Sequence, residues 1–422
     1  MDLGVNAVTE PRTIESSKSW VVAFASMAIL AVSYGSPLLS VIAMQPIAAA
    51  FDNHRSVPAL ANSLVWLGSG AGGILMGPVA QRLGVRWIVL FGGLMIGTGF
   101  VLSTQGGEWS LLIGHGLFVG ILGTGSIHAP LYIYVSHWFD RHRGTALALI
   151  ASGQYVGGAI WPFLLQYTTA QTDWYHTMIF FGVFAIVSIV PMSLIFLQGT
   201  APENVLAPDA TTNVSQPMKM NSQTFFSLLC LASVLCCVPM AMPTTHLPAL
   251  CGDLGISATR GAAMLSLLLG MAFLSRQFWG WLSDWIGGLA TVGAASACQA
   301  LAVLGFAVTT NEAGLFFVSA AFGLGFSGII PAYFLAIREL FAANQASWRI
   351  PALFFCSLVG MAIGGWLAGA IFDYTASYLP AFALGFAFNI ANVLLIIFLV
   401  TRTRGSVRRS KAEANIGFRA SV

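Results

Sequence analysis

The sequence is poor in charge. Only 8% of its 422 residues are Asp, Glu, Lys or Arg, whereas a soluble globular domain carries about 25%. This shortage excludes an ordinary water-soluble domain, and the net charge of +3 carries no nucleic-acid signature, so no nucleic-acid partner is expected. Hydrophobic residues make up 57% of the chain, which predicts an all-α protein that crosses a lipid bilayer many times.

Reactive and metal-binding side chains are also scarce. The six cysteines lie in or near apolar segments without the spacing of metal ligands, so we interpret them as small buried hydrophobic residues. They are Cys230, Cys236, Cys237, Cys251, Cys298 and Cys356. The apolar segments hold no paired acids and no nucleophile–base pair, so we expect no enzyme, no metal site and no other cofactor. The first apolar run, which follows Lys18, is too long for a signal peptide, so no cleaved targeting segment is expected.

Apolar runs of roughly twenty residues recur along the whole chain, and each is long enough to span a bilayer. We predict twelve spans at about 20–44, 57–80, 86–104, 111–136, 144–167, 174–198, 224–250, 260–283, 289–309, 313–337, 351–372 and 379–400. The predicted organisation is an N-terminal tail (1–19), a six-helix bundle (20–198), a polar linker (199–223), a second six-helix bundle (224–400) and a basic tail (401–422).

Lys and Arg are distributed unequally between the two sides. The tails and connections on one side hold Arg12, Lys18, Arg82, Arg86, Arg141, Arg143, Lys219, Arg338, Arg349, Arg402, Arg404, Arg408, Arg409, Lys411 and Arg419. The other side holds only Arg55 and Arg260. By the positive-inside rule both termini, and the linker, are predicted to be cytoplasmic. We expect the plasma membrane, which in a bacterium is the inner membrane.

The chain also has an internal repeat. The second span ends in Gly77-Pro-Val-Ala-Gln-Arg-Leu-Gly84, and the eighth ends in Gly280-Trp-Leu-Ser-Asp-Trp-Ile-Gly287. The fourth and tenth spans both carry Pro-x-Tyr near their ends, as Pro130 with Tyr132 and Pro331 with Tyr333. The two copies are about 200 residues apart. Two related six-helix bundles predict a transporter architecture, with the substrate site near the midplane between them.

Arg276 is a cation deep in the eighth span. The neighbouring charges, Asp284 and Arg260, lie about 12 Å and about 24 Å away along a helix. A guanidinium at bilayer depth is costly and normally faces a wet cavity or a partner, and no internal acid lies at that depth. Its planar fork suits a carboxylate, so we predict an anion site. The alternative is that Arg276 bonds helix-end carbonyls and only holds the bundle together.

The repeated segments resemble the loop signature of the major facilitator superfamily. In the first copy the residues that carry the resemblance are Gly77, Arg82 and Gly84, with Gln81 where the family usually has Asp. In the second copy they are Gly280, Asp284 and Gly287. The resemblance implies two pseudo-symmetric six-helix bundles, with these segments acting as conformational latches.

A finer resemblance covers essentially the full chain. WFDRHRGTALALIASGQYVGG, from Trp138, is similar to the fifth-helix signature of monocarboxylate transporters, and THLPALCGDLGIS followed by Arg276 resembles their seventh and eighth helices. The broader similarity includes oxalate–formate exchangers. It implies that Arg276 holds the substrate carboxylate. The family's first-helix signature is absent; here the stretch reads Ser33-Tyr34-Gly35-Ser36-Pro37.

Tyrosines are further candidate ligands, since a ring with a hydroxyl suits a small amphiphilic acid. Tyr132 and Tyr333 are pseudo-equivalent, and Tyr34 and Tyr155 are weaker candidates of the same kind. An interfacial aromatic belt is the alternative for these residues.

Two histidines could line the path. His246 lies between Pro243 and Pro248, which open the helix ladder, and it could accept an external proton before substrate binds. Its alternative is a structural histidine with satisfied hydrogen bonds. His128 lies one turn before Tyr132 on the same helix face.

The favoured function is proton-coupled symport of a small monocarboxylate such as lactate or pyruvate, by a functional monomer. Alternatives are an anion exchanger of the oxalate–formate kind and an exporter of aromatic acids or drugs. A membrane-embedded enzyme or sensor lacks any supporting residues.

Overall fold

The computed structural model describes residues 15–139, 142–198 and 220–420. These residues form helices and no strands. Twelve helices are long and apolar enough to cross a membrane. They are α1 (Ser17–Ile42), α2 (Ser56–Leu83), α3 (Val85–Ser103), α4 (Glu108–Ser136), α5 (Arg143–Gln171), α6 (Trp174–Phe196), α7 (Ser222–Asp253), α8 (Ala258–Ile286), α9 (Gly288–Val308), α10 (Glu312–Leu340), α11 (Asn344–Thr375) and α12 (Leu379–Thr403). The twelve predicted spans are therefore confirmed, while most of the predicted linker, residues 199–219, lies outside the described residues.

Local sequence explains where these helices begin and end. Side-chain oxygens at N-cap positions accept from the first turn, as Ser257 does from Arg260 N at α8 and Asn311 from Gly314 N at α10. α2 and α8 end at Gly84 and Gly287, whose φ angles are +89° and +83°. Only glycine adopts this region without strain, so the repeated motif ends each of these helices in the same sharp turn.

Arg349 corrects one prediction. We placed it in a connecting loop, but it lies in the first turns of α11 and is only 4% exposed. Its guanidinium carbon lies 3.9 Å from the centre of the Phe341 ring and 5.1 Å from that of Phe226. These aromatic faces attract the cation and cover its apolar stem, so the helix extends beyond the hydrophobic run. The helix that contains α12 likewise continues to Ala420, within the predicted tail.

The helices pack as two bundles of six. In the first, α2 packs on α4, α3 packs on α4 and α6, and α1 packs on α5. In the second, α7 packs on α11 and α12, α8 on α10, and α9 on α12. The bundles meet where α2 packs on α11 and α5 packs on α8. The fold class predicted from the repeat is therefore confirmed.

The close approaches between α2 and α11 lie in one half of the pair. We call the end at which α1 begins the terminal end, and the opposite end the far end. Close approaches run down the pair from the far end: Gly369 lies against Ala59, Ser63 Oγ donates to Ala362 O at 2.7 Å, and Gly70 lies against Leu358.

Toward the terminal end these approaches stop. No heavy atom lies within 4 Å of the position that a Cβ would take on Gly77, on Gly144 or on Gly280. These glycines lie near the terminal ends of α2, α5 and α8. The close approaches between α2 and α11 named above therefore lie in the far half of the pair, and the glycines near the terminal ends of α2, α5 and α8 have open space beside them.

Candidate functional site

Arg276 faces the other bundle. Its guanidinium carbon lies 5.3 Å from the centre of the Tyr155 ring on α5, and the Tyr155 hydroxyl is close enough to interact with it. The residue is partly buried, about 15 Å from the terminal end of α8 by helix rise. None of the ion pairs among the described residues includes Arg276. The cation therefore lies at the interface between the bundles, beside an aromatic ring and without a carboxylate partner in the described chain.

Two of the predicted tyrosines lie around this cation. Tyr132 on α4 is close enough to interact electrostatically with the guanidinium of Arg276 and with the hydroxyl of Tyr155. Tyr34, at the turn that interrupts α1, lies close to Tyr155 and packs edge-on to Trp66 with ring centroids 6.0 Å apart. Helices from both bundles thus bring Arg276 and three tyrosines together.

His128 lies near this group on the first-bundle side. Its Nε2 is 2.8 Å from Ser33 Oγ, and Ser33 directly precedes Tyr34 in the chain. His128 also lies one turn from Tyr132 along α4, so both side chains are on the same face. The pair joins α1 to α4 beside the cluster that contains Arg276.

His246 is at a different place, near the far end of α7. Its Nε2 is 2.7 Å from Gly365 O, and its Nδ1 is 3.0 Å from the Tyr378 hydroxyl. Because a carbonyl oxygen only accepts, Nε2 carries the proton and donates it, and Nδ1 accepts from the hydroxyl of Tyr378. His246 is fully buried. The structure does not bring it into contact with Arg276.

Tyr333 is also apart from Arg276. Its hydroxyl donates to Asn392 Oδ1 at 3.2 Å, and Asn392 Nδ2 donates to Ser296 Oγ at 2.8 Å. All three residues are fully buried inside the second bundle. Tyr132 and Tyr333 are equivalent in the repeat, yet only Tyr132 lies beside the cation.

The repeated motif lies at the terminal end. Arg82 and Asp284 are exposed, and neither forms an ion pair with another described residue. Gln81, which replaces the usual acid, is exposed as well. The role of the motif as a conformational latch stays a prediction.

The described residues contain no group of three His, Cys, Asp or Glu side chains placed to hold a metal ion. Cys236, Cys237 and Cys251 are buried, as predicted, but Cys298 is exposed. That exposure corrects the prediction for Cys298, which lies beside Gly325 of α10, a residue with no side chain to cover the thiol, while Cys230 and Cys356 are partly buried.

Sequence reasoning gave too little weight to part of the site. Tyr155 was only a weak candidate and Trp66 and Phe326 were not considered, although Phe326 packs against Tyr155 with ring centroids 6.5 Å apart. Tyr155 and Arg276 occupy α5 and α8, which pack on each other across the interface between the bundles. The repeat predicts the two bundles but not which helices meet, so only the packing places the two side chains opposite each other.

Comparison with known proteins agrees with this architecture. A family model described as Major Facilitator Superfamily matches residues 20–348. The chain belongs to the major facilitator superfamily. It is therefore an integral membrane protein of a family of transporters, and the superfamily predicted from the two loop motifs is confirmed.

Relatives within the superfamily include monocarboxylate transporters. Human monocarboxylate transporter 11 is 26% identical over 85% of this chain and 79% of its own length. The MFS-type transporter pynF of Aspergillus niger is 23% identical over 74% of this chain and 72% of its own length. YcxA of Bacillus subtilis, an uncharacterized MFS-type transporter, is 22% identical over 82% of this chain and 86% of its own length. The predicted monocarboxylate-transporter branch is thus supported.

Solved structures show the same fold at low identity. A bacterial homolog of the human lysosomal transporter Spinster, in an inward-facing and occupied conformation, has a TM-score of 0.67 at 13% identity, covering 93% of this chain and 98% of its own. The peptide transporter POT in complex with alafosfalin has a TM-score of 0.69 at 15% identity, covering 90% of this chain and 94% of its own.

Proposed function

We propose that this transporter carries a small monocarboxylate, such as lactate or pyruvate, in symport with a proton by alternating access. The observation that carries the proposal is the position of Arg276. It is a guanidinium at the interface between the bundles, near two or more tyrosine hydroxyls, with no carboxylate partner among the described residues. A substrate carboxylate would supply the missing counter-charge through two parallel hydrogen bonds. One guanidinium neutralises one carboxylate, which favours a monoanion.

Binding at this position fits alternating access. Arg276 lies where α5 and α8 meet, and the close approaches of α2 and α11 lie in the far half of that pair. We take the open space beside Gly77, Gly144 and Gly280 as an opening between the bundles toward the terminal end. We propose that the terminal end faces the cytoplasm of a plasma membrane, on the strength of its excess of Lys and Arg. In that orientation the structure would be the inward-facing state of the carrier. We further propose that the carrier works as a monomer and does not change its substrate chemically.

Proton coupling has no carboxylate to depend on one turn before Arg276 in α8. Ala272, one turn before Arg276, occupies the place where some related carriers have an acid, and it is buried. The proton would therefore travel on His246 or on the substrate itself. An exchanger of the oxalate–formate kind is the alternative to symport, and counterflow without a pH gradient distinguishes the two.

The rings near Arg276 favour a second candidate, a carrier of aromatic acids. Tyr155, which lies beside Arg276, packs against Phe326, and Tyr34, which is close to Tyr155, packs against Trp66. A flat apolar substituent on the acid could stack there, with its carboxylate on Arg276. Lactate and phenylpyruvate differ in that substituent, so competition between them separates the two candidates.

The test measures binding and transport together. Purified protein is heated with a panel of small acids, and uptake of labelled acid is measured in proteoliposomes. An acid at 100 times its Kd adds about 2.7 kcal/mol of stability, which raises the melting temperature by a few degrees. Arg276→Gln should lose that shift and the uptake. Arg349→Gln, which removes another buried guanidinium that packs on Phe226, Phe341 and Trp348, should keep both. Normal uptake by the Arg276→Gln protein would reject the proposal.

A further inference from the structure

Arg55 joins the two bundles at the far end. It directly precedes α2 of the first bundle, and its two Nη atoms donate to both carboxylate oxygens of Asp253, the last residue of α7. Gln45 lies three residues after the end of α1. Its Nε2 donates to Ala249 O at 3.2 Å and to Asp253 Oδ1 at 3.4 Å. The carboxylate of Asp253 is thus held by two side chains of the other bundle.

A second carboxylate closes the same end from α11. Asp373 Oδ1 accepts from Arg55 N at 2.7 Å, and its Oδ2 accepts from Ser56 N at 2.9 Å. These are amide groups at the start of α2, where no local side chain supplies a cap. An acid at a helix N-terminus satisfies free N–H groups and the positive end of the helix dipole. Here the cap comes from the opposite bundle, so it exists only while the bundles touch.

Aromatic residues shield this contact from water. The Arg55 guanidinium carbon lies 3.7 Å from the centre of the Phe372 ring, and its Nη1 donates to the Tyr378 hydroxyl at 3.0 Å. Arg55 is only 9% exposed. Burial lowers the pKa of Arg55, but hydrogen bonds to Asp253 and Tyr378 more than offset this effect and leave the pKa above its ordinary value. The cation therefore stays charged.

The network continues inward through His246. Tyr378 accepts from Arg55 and donates to His246 Nδ1, while His246 Nε2 donates to Gly365 O. Gly365 lies on the face of α11 that packs against Ser63 of α2. The polar contacts at the surface of the far end are thus connected to the closed interface below them.

The second cation at the far end makes no ion pair between the bundles in the described part of the chain. Arg260, near the start of α8, is the only other arginine or lysine assigned by sequence to this end. Its Nη1 pairs with Glu312 at 3.3 Å, and both residues belong to the second bundle. Arg260 is 61% exposed at its side chain, whereas Arg55 is 10% exposed. The cross-bundle contact of Arg55 is therefore not a general property of charges at this end.

We propose that Arg55, Asp253 and Asp373 form the gate that closes the far end, and that this gate must break before the central site can open on that side. We call these three residues the far-end gate. The contacts of Arg55, Asp253 and Asp373 described above join one bundle to the other, and Tyr378 and Gln45 support them from either side. Separation of the bundles would remove the cap of α2, the pair with Asp253 and the Tyr378 hydrogen bond together. The proposal does not depend on which substrate is carried.

The experiment reports opening of the far end with one engineered thiol. Thr245→Cys is placed in full-length protein whose native cysteines are replaced, and the protein is held in lipid nanodiscs. Thr245 is 2% exposed, accepts from Asn62 of the first bundle at 3.2 Å, and lies about 12 Å along α7 from Asp253. A membrane-impermeant maleimide can reach it only when the bundles separate there. The rate of labelling measures that separation.

Arg55→Gln and Asp253→Asn should each raise the labelling rate about tenfold, a size in the range of coupling between contacting residues. The double variant should label no faster than either single variant, because both remove one interaction. Arg260→Gln is the matched control, since it removes the same charge at the same end from a pair within one bundle, and its rate should not change. Monodisperse elution and thermal melting identify variants that have unfolded, and Arg55→Lys, which keeps the charge, should give an intermediate rate.

Two outcomes would overturn the proposal. One is an Arg55→Gln protein that labels at the rate of the Arg260→Gln control. The other is a double variant whose rate increase is the product of the two single increases, since independent effects would mean that Arg55 and Asp253 do not act through their contact.

Discussion

Arg276 and Tyr155 lie on α8 and α5, one in each bundle, with the guanidinium carbon 5.3 Å from the centre of the ring. A cation over an aromatic face is attracted by about 0.5–2 kcal/mol, more when water is excluded. The contact holds the guanidinium in the space between the bundles, although a substrate that binds there must share it. The ring therefore orients the cation without neutralising its charge.

The first prediction separates the ring of Tyr155 from its hydroxyl. Tyr155→Leu removes the cation–π contact, so the half-saturating substrate concentration should rise about 5- to 30-fold, which corresponds to about 1–2 kcal/mol. Tyr155→Phe keeps the ring but loses the hydroxyl near Arg276, so its half-saturating concentration should rise less than that of Tyr155→Leu. The measurement is the concentration dependence of uptake in proteoliposomes. Equal losses in both variants would show that the hydroxyl, not the ring, is what substrate binding requires.

The second prediction concerns Tyr333, whose hydroxyl is bound to Asn392 inside the second bundle. Tyr333→Phe removes one buried hydrogen bond, so the protein should lose about 1 kcal/mol of stability, and its substrate affinity should be unchanged. Tyr132→Phe, in the equivalent position of the first bundle, should instead weaken binding because Tyr132 lies near Arg276. Thermal melting and uptake on both variants make the comparison. A weakened substrate affinity in Tyr333→Phe would restore it as a ligand.

These two tyrosines show what the sequence could predict and what it could not. The repeat predicted twelve helices, two bundles and the equivalence of Tyr132 and Tyr333, because length, hydropathy and motif spacing are local properties. It could not distinguish their surroundings. Asn392 is 59 residues from Tyr333 in the chain, so their hydrogen bond depends on how α10 and α12 pack.

Arg276 and Arg55 differ in the same way. A lone cation inside an apolar run is conspicuous by its cost, so Arg276 could be identified from sequence alone. Arg55 follows a loop and carries no pattern of its own. Its partners Asp253 and Asp373 are 198 and 318 residues away, and only the packing of the bundles brings them together.

The third prediction addresses proton coupling at His246. In this state the neutral ring uses both nitrogens, since Nε2 donates to Gly365 O and Nδ1 accepts from Tyr378. An added proton would have to displace the Tyr378 hydrogen bond, because both ring nitrogens are already in use. Opening of the far end would free Nδ1, so proton uptake from that side is expected only when the bundles part there.

His246→Gln should therefore flatten the dependence of uptake on external pH between about 5 and 8, the range over which histidine titrates. Tyr378→Phe keeps the ring and removes the hydroxyl that donates to Nδ1. The Tyr378→Phe protein should keep the dependence of uptake on external pH. It should also let more protons leak across the membrane without substrate, which a pH-sensitive dye inside proteoliposomes measures. An unchanged pH profile in His246→Gln would remove this residue from the coupling scheme and leave the substrate to carry the proton.

The fourth prediction concerns two adjacent glycines of α11. A Cβ on Gly364 would lie 2.1 Å from Val238 O of α7, a backbone atom that cannot move aside. A Cβ on Gly365 would lie 3.1 Å from Ser63 Oγ, a side chain that can rotate. Gly364→Ala should therefore destabilise the protein by about 1–3 kcal/mol, and Gly365→Ala by less. Thermal melting of both variants tests the order, and the reverse order would contradict the packing of α7 on α11.

The fifth prediction concerns the turn that ends α8 in the repeated motif. Gly287 has φ +83° and ψ 158°, a region that is essentially restricted to glycine, so Gly287→Ala should cost about 1–3 kcal/mol. Gly280 is helical, with open space where its Cβ would be, so Gly280→Ala should stabilise the helix by about 0.5–1 kcal/mol. Chemical denaturation of the two variants measures these opposite signs. If Gly280→Ala stabilises the protein but slows uptake, the space beside Gly280 must close during the transport cycle, because an alanine that meets no atom in this state would then clash in another. Uptake equal to that of the parent would show that the bundles do not meet at Gly280.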